Sequence, residues 1–159
     1  MIVFTNTGPI IALSSIGRID LLPALFGRVC AAASVIEECR VGGAIEVADL
    51  RILDWLTVVD RTDSGEPDSP LNALDRGERD TIAAALEARA ELVIIDERLG
   101  RLAAERMGLR VIGSLGILAK AKSMGLVASF RGATSEMIRA GIRFHPRLID
   151  KVAARVGEA

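Results

Sequence analysis

Residues 91–113 read ELVIIDERLGRLAAERMGLRVIG. Leu92–Ile95 is a short apolar run, as a strand buried on both faces should be. It stops at Asp96-Glu97, and from Glu97 to Met107 Leu, Ala, Glu and Arg recur at helical spacing. Gly108-Leu109 ends that helix tightly, and Arg110–Ile112 is a second apolar run that stops at Gly113-Ser114. Strand, helix and strand with so little between them form the unit of a parallel α/β sheet.

The same rhythm extends outward. Ile2–Thr5, Arg28–Ala31 and Thr57–Val59 are further strand-like runs, and Ser34–Cys39, Gly77–Arg89 and Leu115–Met124 are helical in pattern. Apolar helices are also expected around Ile10–Ile16 and Leu21–Phe26, serving either as core or as a dimer face. Arg61–Pro70, RTDSGEPDSP, reads as an exposed loop, and Leu126–Glu158 as two or three helices interrupted at RFHPRL. The expectation is one α/β domain over residues 1–159, with about five parallel strands and no internal repeat.

Half of the 159 residues are apolar, enough for a sizeable core, yet no apolar run approaches the length of a membrane span. The start MIVFTNTG lacks the basic leader and small-residue site of a signal peptide. Cys30 and Cys39 lie in apolar stretches without CxxC spacing and read as core thiols, so the expected compartment is the cytoplasm. The net charge of −1 hides a segregation. Residues 1–96 carry 8 Lys/Arg and 16 Asp/Glu, whereas residues 97–159 carry 12 and 5. Either the two signs interleave after folding, or an acidic site sits beside a basic rim that attracts a polyanion.

In a parallel sheet, ligands bind beyond the carboxyl ends of the strands. Asn6 follows the first strand, in VFTNTGPIIAL, and Asp96 with Glu97 follows the fourth. Their local alternatives are a turn residue before Gly8-Pro9 for Asn6 and a helix N-cap for Asp96. Two more acids come from helix starts. Ser34-Val35-Ile36-Glu37 fits a capping box, which occupies Glu37 and leaves Glu38, flanked by Val35 and Cys39, to face a crevice. Glu78 shares a stripe with Ile82 and Leu86 and so points inward, either as the returning acid of an Asp75 capping box or toward a cation. Asp80, about 200° round the helix, is expected to be solvated. Converging oxygen ligands imply a hard cation, Mg²⁺ or Mn²⁺. Zinc is excluded because His145 is the only histidine and no Cys/His cluster exists.

The stretches NTGPIIALSSIGRIDLLPALFG, ASVIEECR and LDRGERDTIAAALEARAELVIIDERLGRLAAERMGLRVIGSLGILAKAKSMGL resemble the PIN-domain superfamily. More narrowly they are similar to a prokaryotic, toxin-like branch of nucleic-acid-binding proteins. The resemblance implies a three-layer α/β/α nuclease that binds Mg²⁺ or Mn²⁺ through three or four acids and cuts RNA. It also implies a toxin held by a cognate antitoxin protein, commonly as a homodimer. Residue by residue, the resemblance places the metal-binding and catalytic positions on Asn6, Glu38, Glu78 and Asp96. Thr7 and Ser114 match hydroxyl positions beside that site, and Glu97 is an accessory acid. The sequence departs from the superfamily at Asn6, where an Asp is usual; an amide oxygen still ligates Mg²⁺ but brings no charge.

Arg98 and Arg101, beyond Asp96, either meet the RNA backbone or are solvated helix charge. Two other classes of function compete with the nuclease. One is an RNA-binding or protein-interaction module of the same fold with little catalysis, favoured by Asn6. The other is a phosphate-binding protein using Gly113-Ser114-Leu115-Gly116 at a helix start, which lacks both the dinucleotide fingerprint and a P-loop lysine. His145, before Pro146, reads as a turn residue.

Overall fold

Five short runs rich in branched or small apolar residues form the sheet: β1 (Val3–Thr5), β2 (Val29–Ala32), β3 (Leu56–Val59), β4 (Leu92–Ile94) and β5 (Val111–Ile112). The computed structural model describes residues 1–60 and 69–159. All strand pairs are parallel, in the order β3-β2-β1-β4-β5, with Phe4 opposite Cys30 on one side and Val93 on the other. The helices are α1 (Thr7–Ser15), α2 (Leu21–Phe26), α3 (Ala33–Val41), α4 (Arg76–Glu87), α5 (Arg98–Arg106), α6 (Ser114–Ser123), α7 (Phe130–Arg139) and α8 (Pro146–Arg155).

Alternation along the central strands splits the core into two apolar layers. Val3, Val29 and Ile94 face a cluster built from α1, α2, α6, α7 and α8, including Leu13, Leu22, Ile117, Phe130 and Met137. Phe4, Val93 and Ile95 face the other side, against Ile82 and Ala85 of α4 and Ala104 of α5. The result is a three-layer α/β/α fold. Each fully buried Leu, Ile, Phe or Met contributes about 1.5–3 kcal/mol of transfer free energy. The apolar α1 and α2 belong to this core: Ile10, Leu13, Leu21 and Leu22 are at most 1% exposed. No described helix is long and apolar enough to cross a membrane.

The strand order positions the site. From β1 the chain moves outward to β2 and β3, then returns to β4 on the opposite side of β1 before adding β5. The helix after β1 packs on one face of the sheet and the helix after β4 on the other. The two chains diverge at the carboxyl ends of adjacent strands, which opens a crevice at this topological switch point.

Two local expectations are corrected. The helix containing Ser34 begins one residue earlier, with Ala32 at the N-cap and no side-chain cap. Ser34 is buried with its hydroxyl unpartnered, and Glu37 pairs outward with Arg40 at 2.6 Å. No capping box forms because β2 runs straight into α3, leaving no free cap residue. Asp80 is not solvated: it is 2% exposed, with Arg76 at 3.7 Å, because α4 is covered on more than one face. Most of Arg61–Pro70 lies outside the described residues, while Pro70 opens a short 3-10 turn, Pro70–Ala73.

Candidate active site

Asn6 ends β1 at the crevice. Its backbone N–H donates to the Ile94 carbonyl at 2.9 Å, tying it to the end of β4. It occupies the N-cap position of α1, yet its side chain caps nothing. The residue is 5% exposed, and its Oδ1 is buried without a hydrogen-bond partner. A buried amide oxygen left unpaired costs on the order of 1–3 kcal/mol, so this oxygen is poised for a ligand.

Asp96 sits across from it. Its carboxylate accepts the Ser114 backbone N–H at 2.7 Å and the Ser114 hydroxyl at 2.6 Å. Asp96 therefore ties down the start of α6, while Glu97 holds the N-cap position of its own helix without a side-chain cap. The same bonds occupy the Ser114 N–H and hydroxyl at the α6 N-terminus, two of the donors that a phosphate there would otherwise meet.

Glu38 projects from α3. It accepts the Thr7 hydroxyl at 2.5 Å and the Gly77 N–H at 3.1 Å, and so links α3 to the starts of α1 and α4. Glu78 follows Asp75, which caps α4 by accepting the Glu78 N–H at 2.8 Å. Glu78 is 7% exposed. Burial, then the hydrogen bond and charge of Asp75, then the charges of Glu97 and Glu38 push its carboxyl up to about 7. Every charge acting on Glu78 in that set is another acid, an arrangement that a cation would relieve.

Three glycines make the acids' positions possible, and the sequence reading missed their role. A methyl group at Gly77 would stand 2.5 Å from Glu38 Oε1, one at Gly100 3.0 Å from Glu78 Oε2, and one at Gly113 2.9 Å from Asp96 Oδ1. Each carboxylate lies against backbone from a different element. The available signal was a glycine beside each acid or its partner, in RGE, RLGR and IGS. Arg101 also reaches this region, its Nη1 2.9 Å from the same point at Gly113 as Asp96 Oδ1. Arg98 and Glu97 are exposed at the rim. His145 caps α8, its Nδ1 accepting the Arg147 N–H at 3.2 Å. Burial and then the Glu38 charge push the Cys39 thiol up to about 12, so it is an inert core thiol.

A family model described as a PIN domain matches residues 1–158. The chain belongs to the PIN-domain family. PIN domains are in general nucleases that bind nucleic acid and typically use divalent metal ions. No match to this PIN domain was found among curated proteins or among solved structures.

The crevice fits such an ion by its chemistry. Its donors are oxygens only, from Asn6, Glu38, Glu78 and Asp96, and the Asn6 oxygen is already stripped of water and unpaired. Among the described residues no three His, Cys, Asp or Glu side chains are grouped so as to hold a metal ion by themselves. Mg²⁺ does not require such a group, since it keeps several waters and binds through one or two carboxylates plus a phosphate.

Proposed function

We propose that this PIN domain is a Mg²⁺- or Mn²⁺-dependent endoribonuclease, working as one domain over residues 1–159 and as the toxin of a toxin–antitoxin pair in the cytoplasm. The observation that supports it best is the switch-point crevice, which gathers an unpaired buried amide oxygen at the end of β1 and carboxylates that burden Glu78. Glu38, Glu78, Asp96 and Asn6 would hold the ion, which supplies Lewis acidity toward a phosphodiester and its attacking water. Ser114 and Thr7 orient Asp96 and Glu38 through their hydroxyls. Glu78, whose carboxyl burial and neighbouring acids push up to about 7, would give up its proton on meeting the ion. Glu97 adds negative charge at the rim, and Arg98 and Arg101 meet the RNA backbone. The antitoxin partner and the homodimer rest on the resemblance to toxin-like members.

The test is RNA cleavage in Mn²⁺ by the wild type and by Asp96→Asn. A loss of about 100-fold or more is expected for removal of a group that acts on the transition state. Equal cleavage by both proteins sinks the nuclease reading. A small adjacent open reading frame encoding a DNA-binding protein is expected for the toxin role. A second reading, an RNA-binding or protein-interaction module with little catalysis, is favoured by the missing charge at Asn6; it expects RNA binding without Mn²⁺-dependent cleavage.

A further inference from the structure

A cleft of about 560 Å³ opens from Asp96 and Glu97 and runs between β5 and the turn that joins α7 to α8. Gly141, at φ 107°, turns the chain back toward the sheet edge, a conformation that favours glycine. That turn brings Arg143, Phe144 and His145 to the cleft wall. Opposite and below lie Ile11, Ile112 and Leu148. Phe4 and Phe130 are at most 1% exposed, whereas Phe144 is half-buried, packed against the core cluster and lining the cleft. Arg101 and Arg143 supply cations along the same cleft, most of whose lining comes from residues 97–159, the stretch carrying 12 Lys/Arg against 5 Asp/Glu.

We infer that this cleft is a nucleotide subsite for single-stranded RNA: Phe144 and the aliphatic wall receive a base beside the scissile phosphate, while Arg143 and Arg101 hold the flanking phosphates. The inference rests on the nuclease reading and names the strand geometry that reading leaves open. Three physical points favour this occupant. The volume lies within the range of small-ligand pockets, about 300–1,000 Å³. An aromatic face with aliphatic walls suits a base of any identity, since every base has a π-face. Splayed bases occur in single strands, whereas RNA duplexes are read mainly by shape and backbone across a wide minor groove.

The experiment uses the full chain and a fluorescein-labelled eight-nucleotide single-stranded RNA, with binding read by anisotropy in EDTA so that cleavage does not intervene. Abasic substitution is scanned through the RNA, and Phe144→Leu is compared with wild type because leucine keeps the apolar packing without the ring. Phe144→Leu is expected to weaken binding about tenfold, and that loss should vanish when one particular base is removed. Arg143 is exposed, so Arg143→Ala tests the inference should Phe144 variants fail to fold. It is expected to reduce the slope of log K against log salt by about 0.7, the share of one single-strand phosphate. Weakening by Phe144→Leu that is equal on intact and abasic RNAs marks a structural role and overturns the subsite. So does unchanged binding by both variants while the wild type still cleaves RNA in Mn²⁺; the nuclease reading then survives. A wild type that neither binds nor cleaves RNA overturns both.

Discussion

Asn6 and Glu78 are the two residues whose chemistry sets the site's charge. Replacing Asn6 by Asp puts a carboxylate where an unpaired amide oxygen is now buried. Without metal, Asn6→Asp should destabilise the fold, because a further charge enters a crevice where burial and neighbouring acids already push Glu78 up to about 7. With Mn²⁺ it should bind the ion at least about tenfold more tightly and cleave faster, as charge count tunes affinity at oxygen sites. Titration calorimetry checks this, and unchanged metal affinity would place Asn6 outside the coordination sphere. Glu78 also makes stability depend on pH. Its carboxyl ordinarily titrates at 4.5 and is pushed up to about 7 in the folded chain. Between those values the native state holds a proton that the unfolded chain has released. This contribution to stability is therefore fully present below pH 4.5 and is lost as pH rises through about 7. Thermal melts across that window should show the decline, and Glu78→Gln should flatten it.

Between elements, the acids act as ties. Asp96, just past β4, holds the first turn of α6 through Ser114, while Glu38 ties α3 to the starts of α1 and α4 through Thr7 and Gly77. Ser114→Ala removes one charge-assisted hydrogen bond and leaves the backbone N–H bond in place. The expected cost is about 1.5–3 kcal/mol in denaturant unfolding, together with slower cleavage as Asp96 loses its orientation. A normal stability for that variant would contradict the tie. This level was only partly legible beforehand. Asp75 was readable as a cap for α4 because a cap is local in sequence. The capping role expected for Glu37 fails because β2 enters α3 without a break, so the outward Arg40 takes its carboxylate. Asp80 was expected in water because helical angle alone says nothing about how many neighbours cover a helix.

For the whole molecule, any ligand that binds only the native state stabilises it by mass action. If the crevice holds a divalent ion, Mn²⁺ at 100 times its Kd should stabilise the chain by about 2.7 kcal/mol, and EDTA should reverse the gain. Asp96→Asn should abolish most of it. A melting temperature indifferent to Mn²⁺ in the wild type would remove the metal from the proposal. The fold itself was legible. Each of the five strands and α1 to α6 lies on a run that the sequence reading named, from LVIID to the Gly108 and Gly113 stops, whereas α7 and α8 were expected only as two or three helices within Leu126–Glu158. Glu38 turns toward Thr7 and Gly77 while Glu37 pairs outward with Arg40, although the capping argument for that division fails. What stayed hidden was distance. Gly77 and Glu38 are 39 positions apart, and Ser114 and Asp96 are 18 apart, yet each pair is in hydrogen-bond contact.

The sequence by itself determined the elements, the parallel sheet and the identity of the acids at strand ends and helix starts. Those follow from local period, turn chemistry and apolar content, which act over a few residues. Only the tertiary structure decided that the chain reverses its strand order between β1 and β4, which neighbours each carboxylate meets, and that Phe144 and Arg143 line a cleft beginning at Asp96. Close packing brings remote residues to within hydrogen-bond reach, so the charge and proton affinity of Glu78 belong to the folded crevice rather than to any stretch of the chain.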